Sequence, residues 1–155
     1  MVPLIVLIVA FGVFAGLRAL RVRLFSSWVV CLRWALAAMF LLTASAHWGA
    51  RRPDLVRMVP EGFPDPELLV TVTGIAEIAG AIGLLLPPFA PWAAGGLALL
   101  LIALFPANVH AAWAGLTIGG DPVTPLVPRT ILQVVFLAAT LAAGFGHRLT
   151  GRRRG

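Results

Sequence analysis

The sequence predicts an all-α integral membrane protein with five membrane-spanning helices, and two observations support this prediction. Hydrophobic residues make up 60% of the 155 residues, and the mean hydropathy is +0.97. Soluble domains contain about 45–50% apolar residues, so a soluble core is excluded. The apolar residues also form several runs of roughly 18 or more, which is long enough to cross about 30 Å of hydrocarbon as helix.

The apolar runs define five candidate spans, near residues 2–17, 27–47, 67–87, 92–112 and 129–146. The first, within "MVPLIVLIVAFGVFAGLRALRVR", has no basic segment before it and no small-residue cleavage site. Both features mark secretory signal peptides, so their absence predicts an uncleaved helix. Because the charges follow the apolar run, the amino terminus is predicted to lie outside.

Two arginine clusters predict the orientation of the helices. One follows the first span and the other forms the tail "GRRRG", and together they comprise Arg18, Arg21, Arg23, Arg148, Arg152, Arg153 and Arg154. The positive-inside rule places both clusters, and the carboxyl terminus, in the cytoplasm, where they would be attracted to anionic lipid. The links 48–66 and 113–128 are then outside. Five of the six acidic residues lie at the ends of these links: Asp54, Glu61, Asp65, Glu67 and Asp121.

Charge and cysteine content exclude two classes of function. The formal net charge of +6 sits at the ends of apolar runs and not on one solvated face, so nucleic-acid binding is rejected. Cys31 is the only cysteine, which excludes an intramolecular disulfide and a CxxC pair. Disulfide exchange by the chain alone is therefore excluded.

The spans contain few polar residues, and Glu77 is the most informative of them. A charged residue at the centre of a membrane helix costs about 2.5 to 3.5 kcal/mol on an insertion scale, so it normally faces a bundle interior and pairs. "TVTGIAEIAGAIG" places Thr73, Glu77 and Gly80 on one stripe, beside small residues at four-residue spacing. The Glu77 carboxyl group is therefore predicted to point into a packed seam.

Arg33 is the one basic residue well inside a span, and counting from the span ends gives it nearly the depth of Glu77. Three interpretations stay open. The two residues form a buried ion pair that fixes helix packing; Glu77 is the centre of a ligand or proton site; or Arg33 reaches toward the membrane surface while Glu77 keeps its proton.

Pro106 in "LFPANVHAAWAG" predicts a break in the fourth span, because proline cannot donate to the helix ladder and frees the carbonyl near Ile102. Asn108 is the nearest side chain that can repair the break. Several polar groups share this outer layer: His47, Asn108, His110, Arg129 and Gln133. We predict that Asn108 turns inward over a pocket also lined by Glu77, His47 and Gln133. The simpler alternative is a repaired kink with interfacial histidines and no cavity.

The polar residues of the outer layer are also candidates for binding a cofactor. His47 and His110 at one depth meet a weak test for haem or metal ligation, but no HxxxH or ExxH pairing supports it, so no metal site is assigned. A quinone headgroup needs only one or two hydrogen-bond partners and an apolar slot, which this layer supplies. The candidate ligand-binding residues are Arg33, His47, Glu77, Asn108, His110, Arg129 and Gln133.

Two stretches carry a resemblance to a known family. "HWGARRPDLVRMVPEGFPDPELLVTVTGIAEIAGAIGLLLPP", followed by "GLALLLIALFPANVHAA", resembles the DoxX-like bacterial membrane proteins. The ordered elements are an Arg and then a His in the first matching helix, a Val-Pro and Pro-x-Pro link, Gly-x-x-Glu, and Pro-Ala-Asn-Val. The resemblance implies a four-helix transmembrane bundle of DoxX type within residues 25–155, with polar positions at Arg33, His47, Glu77 and Asn108. Residues 1–24 then form an extra transmembrane helix and a basic inner link.

The resemblance implies a multi-pass protein of the bacterial cytoplasmic membrane. Some relatives are linked to thiosulfate:quinone oxidoreduction or to sulfur and oxidative-stress redox systems. One hypothesis is an accessory or anchoring subunit that docks a membrane or periplasmic redox enzyme; the other is a quinone- or small-lipophile-binding oxidoreductase subunit with an outer pocket around Glu77. Transport is weaker, because there is one carboxylate and no pair of broken helices. A homo-oligomer is compatible with either hypothesis.

Overall fold

The computed structural model describes the backbone of residues 1–151 and the side chains of residues 1–146. Its helices are α1 (Val2–Ala19), α2 (Trp28–Ser45), α3 (Arg52–Met58), α4 (Pro66–Leu85), α5 (Ala90–Trp113) and α6 (Leu126–Gly151). Strands β1 (Thr117–Ile118) and β2 (Asp121–Pro122) form a short antiparallel hairpin. All the helices except α3 are long and apolar enough to cross a membrane, which confirms the predicted multi-pass organisation. Residues 152–155, which carry the arginines of the predicted cytoplasmic anchor "GRRRG", lie outside the described residues.

Four of the long helices form a closed ring. α2 packs on α4, α4 on α5, α5 on α6, and α6 returns to α2. The core of the ring is aliphatic and small, with Leu36, Phe40, Leu84 and Leu97 among its buried members. α1 packs mainly against α2, on the outside of the ring, and Leu7 is its one fully buried residue. The bundle is therefore a four-helix ring with a peripheral helix.

Local sequence explains where the ring helices begin. The Ser27 side chain accepts a hydrogen bond from the Val30 amide at 3.3 Å and caps α2. Asp65 caps α4 in the same way through the Leu68 amide at 3.2 Å, and Pro66 occupies the first helical position, where its missing N–H costs nothing. Each cap satisfies an amide that the helix itself leaves unpaired.

The predicted small-residue seam on α4 is present and faces α5. A Cβ atom added at Gly80 would lie 2.5 Å from the Leu97 side chain, and one added at Gly83 would lie 2.7 Å from the Ala93 side chain. α6 approaches α5 equally closely, since a Cβ at Gly144 would lie 2.5 Å from the Ala94 side chain. Glycine at these positions therefore lets the backbones come together, as is common in membrane bundles.

The links 48–66 and 113–128 contact each other and form what we call the cap, defined as residues 48–65 and 114–125. The cap contains α3 and the β1–β2 hairpin, neither of which the sequence predicted. Asp54 Oδ2 on α3 accepts a 2.7 Å hydrogen bond from the Gly119 amide of the hairpin. His110 Nδ1, near the end of α5, donates to the Met58 carbonyl at 3.1 Å. Both links therefore lie at the same end of the bundle, as predicted.

The helices of the ring are not level at the cap end. His47, two residues beyond the end of α2, bonds to Val70, which is the fifth residue of α4, and packs against Gly74. At 1.5 Å per residue, the first turns of α4 extend about 6–12 Å past the end of α2. Depths counted from the ends of the spans are therefore misaligned between these two helices.

The shared face of the two links generates a topology prediction. In a Cys31→Ala background, single cysteines at Glu61 and Asp121, both exposed in the cap, should react with a membrane-impermeant maleimide from the same side of the membrane. A cysteine at Ser26, exposed in the link between α1 and α2, should react only from the opposite side. Labelling of Glu61→Cys and Ser26→Cys from one side would contradict the five-span topology.

Candidate functional site

The densest polar cluster lies in the seam between α2 and α4, and His47 is its most constrained member. His47 Nδ1 lies 2.6 Å from the Val70 carbonyl oxygen, which has no proton, so Nδ1 must be the donor. Gly74 makes this approach possible, because a Cβ at that position would lie 2.8 Å from the His47 side chain and from the Trp48 ring. The imidazole is thus fixed in both position and tautomer.

Electrostatics favour the neutral form of His47. Burial lowers the pKa of His47, and the nearby Arg52 guanidinium lowers it further, while the bond to Val70 acts in the opposite direction. With Nδ1 protonated, a neutral ring presents the lone pair of Nε2 as a hydrogen-bond acceptor. Nε2 faces Glu77 Oε2 across 4.0 Å, which is too long for a direct hydrogen bond.

Glu77 is hydrogen-bonded to Thr43, which lies on α2 four residues before His47. Thr43 Oγ1 lies 2.7 Å from Glu77 Oε2 and 3.0 Å from the Phe40 carbonyl. The hydroxyl has one proton and two acceptors in reach. It donates to an ionised Glu77, whereas a protonated Glu77 donates to Thr43, which then donates to Phe40. The cluster therefore accommodates a proton on Glu77 or its absence without losing the Thr43–Glu77 bond.

Arg33 does not pair with Glu77, so the predicted ion pair is wrong. Its Nε donates a 2.9 Å hydrogen bond to the Ala143 carbonyl on α6. The reason is the uneven level of the helices. Thr43, which contacts Glu77, lies ten residues from Arg33 along α2, or about 15 Å of helix at 1.5 Å per residue. Arg33 instead ties α2 to α6 away from the cap end.

The expected break at Pro106 is also absent, because α5 is continuous from Ala90 to Trp113. The Leu101 carbonyl, five residues before the proline, accepts a 2.5 Å bond from Gln133 Nε2 on α6. This carbonyl is one residue before that of Ile102, which Pro106 leaves without its amide donor. Asn108 is not the repairing group that the sequence suggested, because its side chain bonds to Arg129.

Asn108 points to α6, where its Oδ1 accepts a hydrogen bond from Arg129 Nη1. Arg129 Nε also donates to the Thr124 carbonyl at the end of the cap, at 3.3 Å. His110 bonds to the cap as described above. These groups connect α5, α6 and the cap, in a seam different from the one that holds Glu77.

The seven predicted residues are thus divided among separate contacts. The α2–α4 seam contains His47 and Glu77. The α5–α6 seam contains Asn108, Arg129 and Gln133. The other two residues bond elsewhere: His110 to α3 and Arg33 to α6. This division contradicts the prediction that Asn108 and Gln133 line one pocket with Glu77 and His47. Two open grooves, of about 240 and 610 Å³, lie along α1 and the start of α2, and none of the seven residues lines them.

Sequence reasoning missed Thr43, Arg52 and Gly74. Arg52 donates to the His47 carbonyl at 2.9 Å and to Thr71 Oγ1 at 2.9 Å, so it joins the end of α2 to the projecting turns of α4. The four-residue spacing of Thr43 and His47 was a usable signal for a polar stripe on α2. Within residues 1–146, no three His, Cys, Asp or Glu side chains are grouped so as to hold a metal ion.

Comparison with known proteins gives one family. A model described as "Domain of unknown function (DUF8561)" matches residues 36–143, which is more than half of the chain. The match begins within α2 and ends within α6, so it includes the cap and excludes α1. No curated protein and no solved structure matches the chain.

The contact at Gly74 generates a stability prediction. Gly74→Ala should lower the free energy of unfolding by about 1–3 kcal/mol, because the new methyl group overlaps His47 and Trp48 in a packed seam. Gly96→Ala on α5 is the matched control, since nothing lies within 4 Å of its added Cβ. The control should be neutral or stabilising by up to about 1 kcal/mol. Equal melting temperatures in detergent for the two variants would contradict the packing described here.

The bond between Thr43 and Glu77 generates a coupling prediction. Losses in unfolding free energy from Thr43→Val and Glu77→Gln should be non-additive by about 0.5–3 kcal/mol, because the two side chains are in contact. Arg33→Met combined with Glu77→Gln should be additive within about 0.5 kcal/mol, since those side chains bond to different helices. Coupling of Glu77 to Arg33 but not to Thr43, measured by denaturation in detergent, would restore the ion-pair interpretation.

Proposed function

The chain belongs to the DUF8561 family, whose function is unknown, and we propose that it is an accessory subunit that anchors a redox enzyme to the bacterial cytoplasmic membrane. The ring would be the anchor and the cap would be the docking platform on the outer side. The redox class of the partner rests on the resemblance of the sequence to DoxX-like proteins. The anchoring role rests on how the polar side chains are used.

The observation that carries the proposal is that the polar side chains near the cap are bonded within the chain. The side chains of His47 and Gln133 donate to backbone carbonyls. Asn108 accepts from Arg129. His110 donates to the Met58 carbonyl at the end of α3. A binding site for a substrate needs polar groups that converge on open space. Groups committed to carbonyls instead stiffen the bundle and fix the cap on it, which is what a docking platform requires.

The cap also offers a surface for a partner. Asp54 connects α3 to the hairpin, and Arg52 connects α3 to both α2 and α4, so the cap is attached at several points. Phe63 is 52% exposed within the cap, and Trp113 is 77% exposed at the end of α5. Aromatic side chains at this level suit contact with a protein resting on the membrane as well as with lipid headgroups.

One observation favours the alternative, a quinone- or small-lipophile-binding subunit. His47 Nε2 and Glu77 Oε2 are separated by 4.0 Å, so one oxygen atom at about 2.8 Å from each would bridge them. A quinol hydroxyl has this chemistry, because it can donate to the Nε2 lone pair and accept from a protonated Glu77. Both side chains are less than 10% exposed, so entry of such a headgroup would require α2 and α4 to separate. The alternative therefore ranks second.

The anchoring proposal predicts that loosening the cap releases the partner. Asp54→Ala removes the acceptor for the Gly119 amide and for Arg57, so a redox enzyme that co-purifies in mild detergent should be lost. Asp121→Ala is the matched control, because it removes the same charge from the hairpin without removing a described contact. Flavin or haem absorbance in the co-purifying fraction identifies the partner as a redox enzyme. A colourless chain that elutes alone, with quinone bound in a Glu77-dependent manner, would replace anchoring by the alternative.

The contact between Asp54 and the Gly119 amide sets the pH dependence of docking. The Gly119 amide, and then Arg57, lower the pKa of Asp54. A lowered pKa in the folded state means that the contact stabilises the cap above the unfolded value of about 3.9 and is lost as pH falls through the lower folded value. Protection of the Gly119 amide from hydrogen exchange should therefore persist at pH 5 and decline below about pH 4 in the wild type, but be absent in Asp54→Ala.

A further inference from the structure

An open groove of about 610 Å³ lies at the end of the bundle opposite the cap, where α1 ends and the chain turns toward α2. We call it the basic groove. Its lining residues are Arg18, Ala19, Arg21, Val22, Arg23, Phe25 and Ser26. The three arginines are exposed, and their guanidinium groups make no hydrogen bond or ion pair with the described residues.

No acidic side chain is available to neutralise the basic groove. Five of the six acidic residues are in or next to the cap, and the sixth, Glu77, is inside the ring. Three exposed arginines therefore line one open groove with no counter-charge from described residues. Such an arrangement attracts an anion, and the planar guanidinium group binds phosphate oxygens in a two-point manner.

The backbone at Arg21 gives a second, independent reason to assign a role to this surface. Arg21 has φ of 61°, in the left-handed region, and follows the end of α1. Its amide donates to the Arg18 carbonyl at 2.9 Å, and the Val22 amide donates to the Leu17 carbonyl at 3.1 Å. This pattern is a Schellman motif, in which glycine is the usual residue at the left-handed position.

Arginine at the left-handed position is less favourable than glycine, because its Cβ is crowded there. Strained residues of this kind are often found where the side chain has a function. Replacing Arg21 by glycine would relax the backbone and remove one of the three charges of the groove. Stability and anion binding should therefore respond in opposite directions to the same change.

The surroundings of the groove identify the source of the anion. It lies at the end of two membrane-spanning helices, at the level where lipid headgroups lie. A second groove, of about 240 Å³, follows the faces of α1 and α2 and is lined only by apolar side chains: Leu7, Ile8, Phe11, Trp28 and Leu32. We propose that the basic groove binds the phosphate group of an anionic glycerophospholipid, whose acyl chains lie along this apolar face.

This site is independent of the proposed function, because it uses no residue of the cap or of the α2–α4 seam. The experiment measures the shift in melting temperature of the full chain in detergent on addition of phosphatidylglycerol, phosphatidylcholine or inorganic phosphate. Phosphatidylglycerol should stabilise the wild type, and the other two should not. Each arginine near the headgroup should contribute about fivefold to the apparent affinity.

Arg21→Gly is the decisive variant. Without lipid it should melt at the wild-type temperature or above it, and its apparent affinity for phosphatidylglycerol should fall about fivefold. Arg23→Gln should show the same loss of affinity, and Arg51→Gln, an exposed arginine in the cap, should show none. Wild-type affinity in both groove variants would overturn the site. Equal stabilisation by inorganic phosphate would overturn the assignment to lipid, and a lower melting temperature of lipid-free Arg21→Gly would overturn the argument from its backbone.

Discussion

The absence of water at membrane depth is the constraint on which this structure depends. A polar group in hydrocarbon has to be satisfied by the protein, and the bundle does this across its helix seams. Arg33 bonds to a carbonyl of α6, His47 to a carbonyl of α4, and Gln133 to a carbonyl of α5. Each of these polar side chains is bonded to the backbone of a neighbouring helix. The same contacts that satisfy these groups therefore also hold the ring together.

The spans, their number and the common face of the two long links were predictable from sequence, because hydrophobic length and arginine asymmetry act along the chain. Glu77 and Arg33 were also recognisable as interior polar residues. Their partners were not, because pairing depends on how far one helix slides along another. Counting from the span ends assumed level helices, whereas α4 projects past α2. The hydrogen-bond partners of Asn108 and Gln133 were missed because contacts between α5 and α6 were not considered.

The cap shows a different limit of sequence reasoning. α3 is seven residues long and begins with Arg52 and Pro53, so its local signal is short. The contacts that hold α3 are long-range, from Asp54 to Gly119 and from His110 to Met58. Short elements of this kind are stabilised mainly by such contacts, which a reading of local pattern does not detect. The shape of the link therefore depends on residues more than 50 positions away.

The buried Glu77 has a role in this architecture even if it never meets a substrate. A change of register between α2 and α4 would leave the buried Glu77 carboxyl group without its partner, which is costly. The bond to Thr43 therefore favours the observed register of α4 on α2, and the close contact of Gly74 with His47 favours the same register. That register determines how many turns of α4 project beyond α2. Arg52 bonds to Glu67 and Thr71 within those projecting turns, and so positions the cap. A carboxyl group inside the ring thus contributes to the geometry of the surface outside it, which connects the interior of the bundle to the proposed docking role.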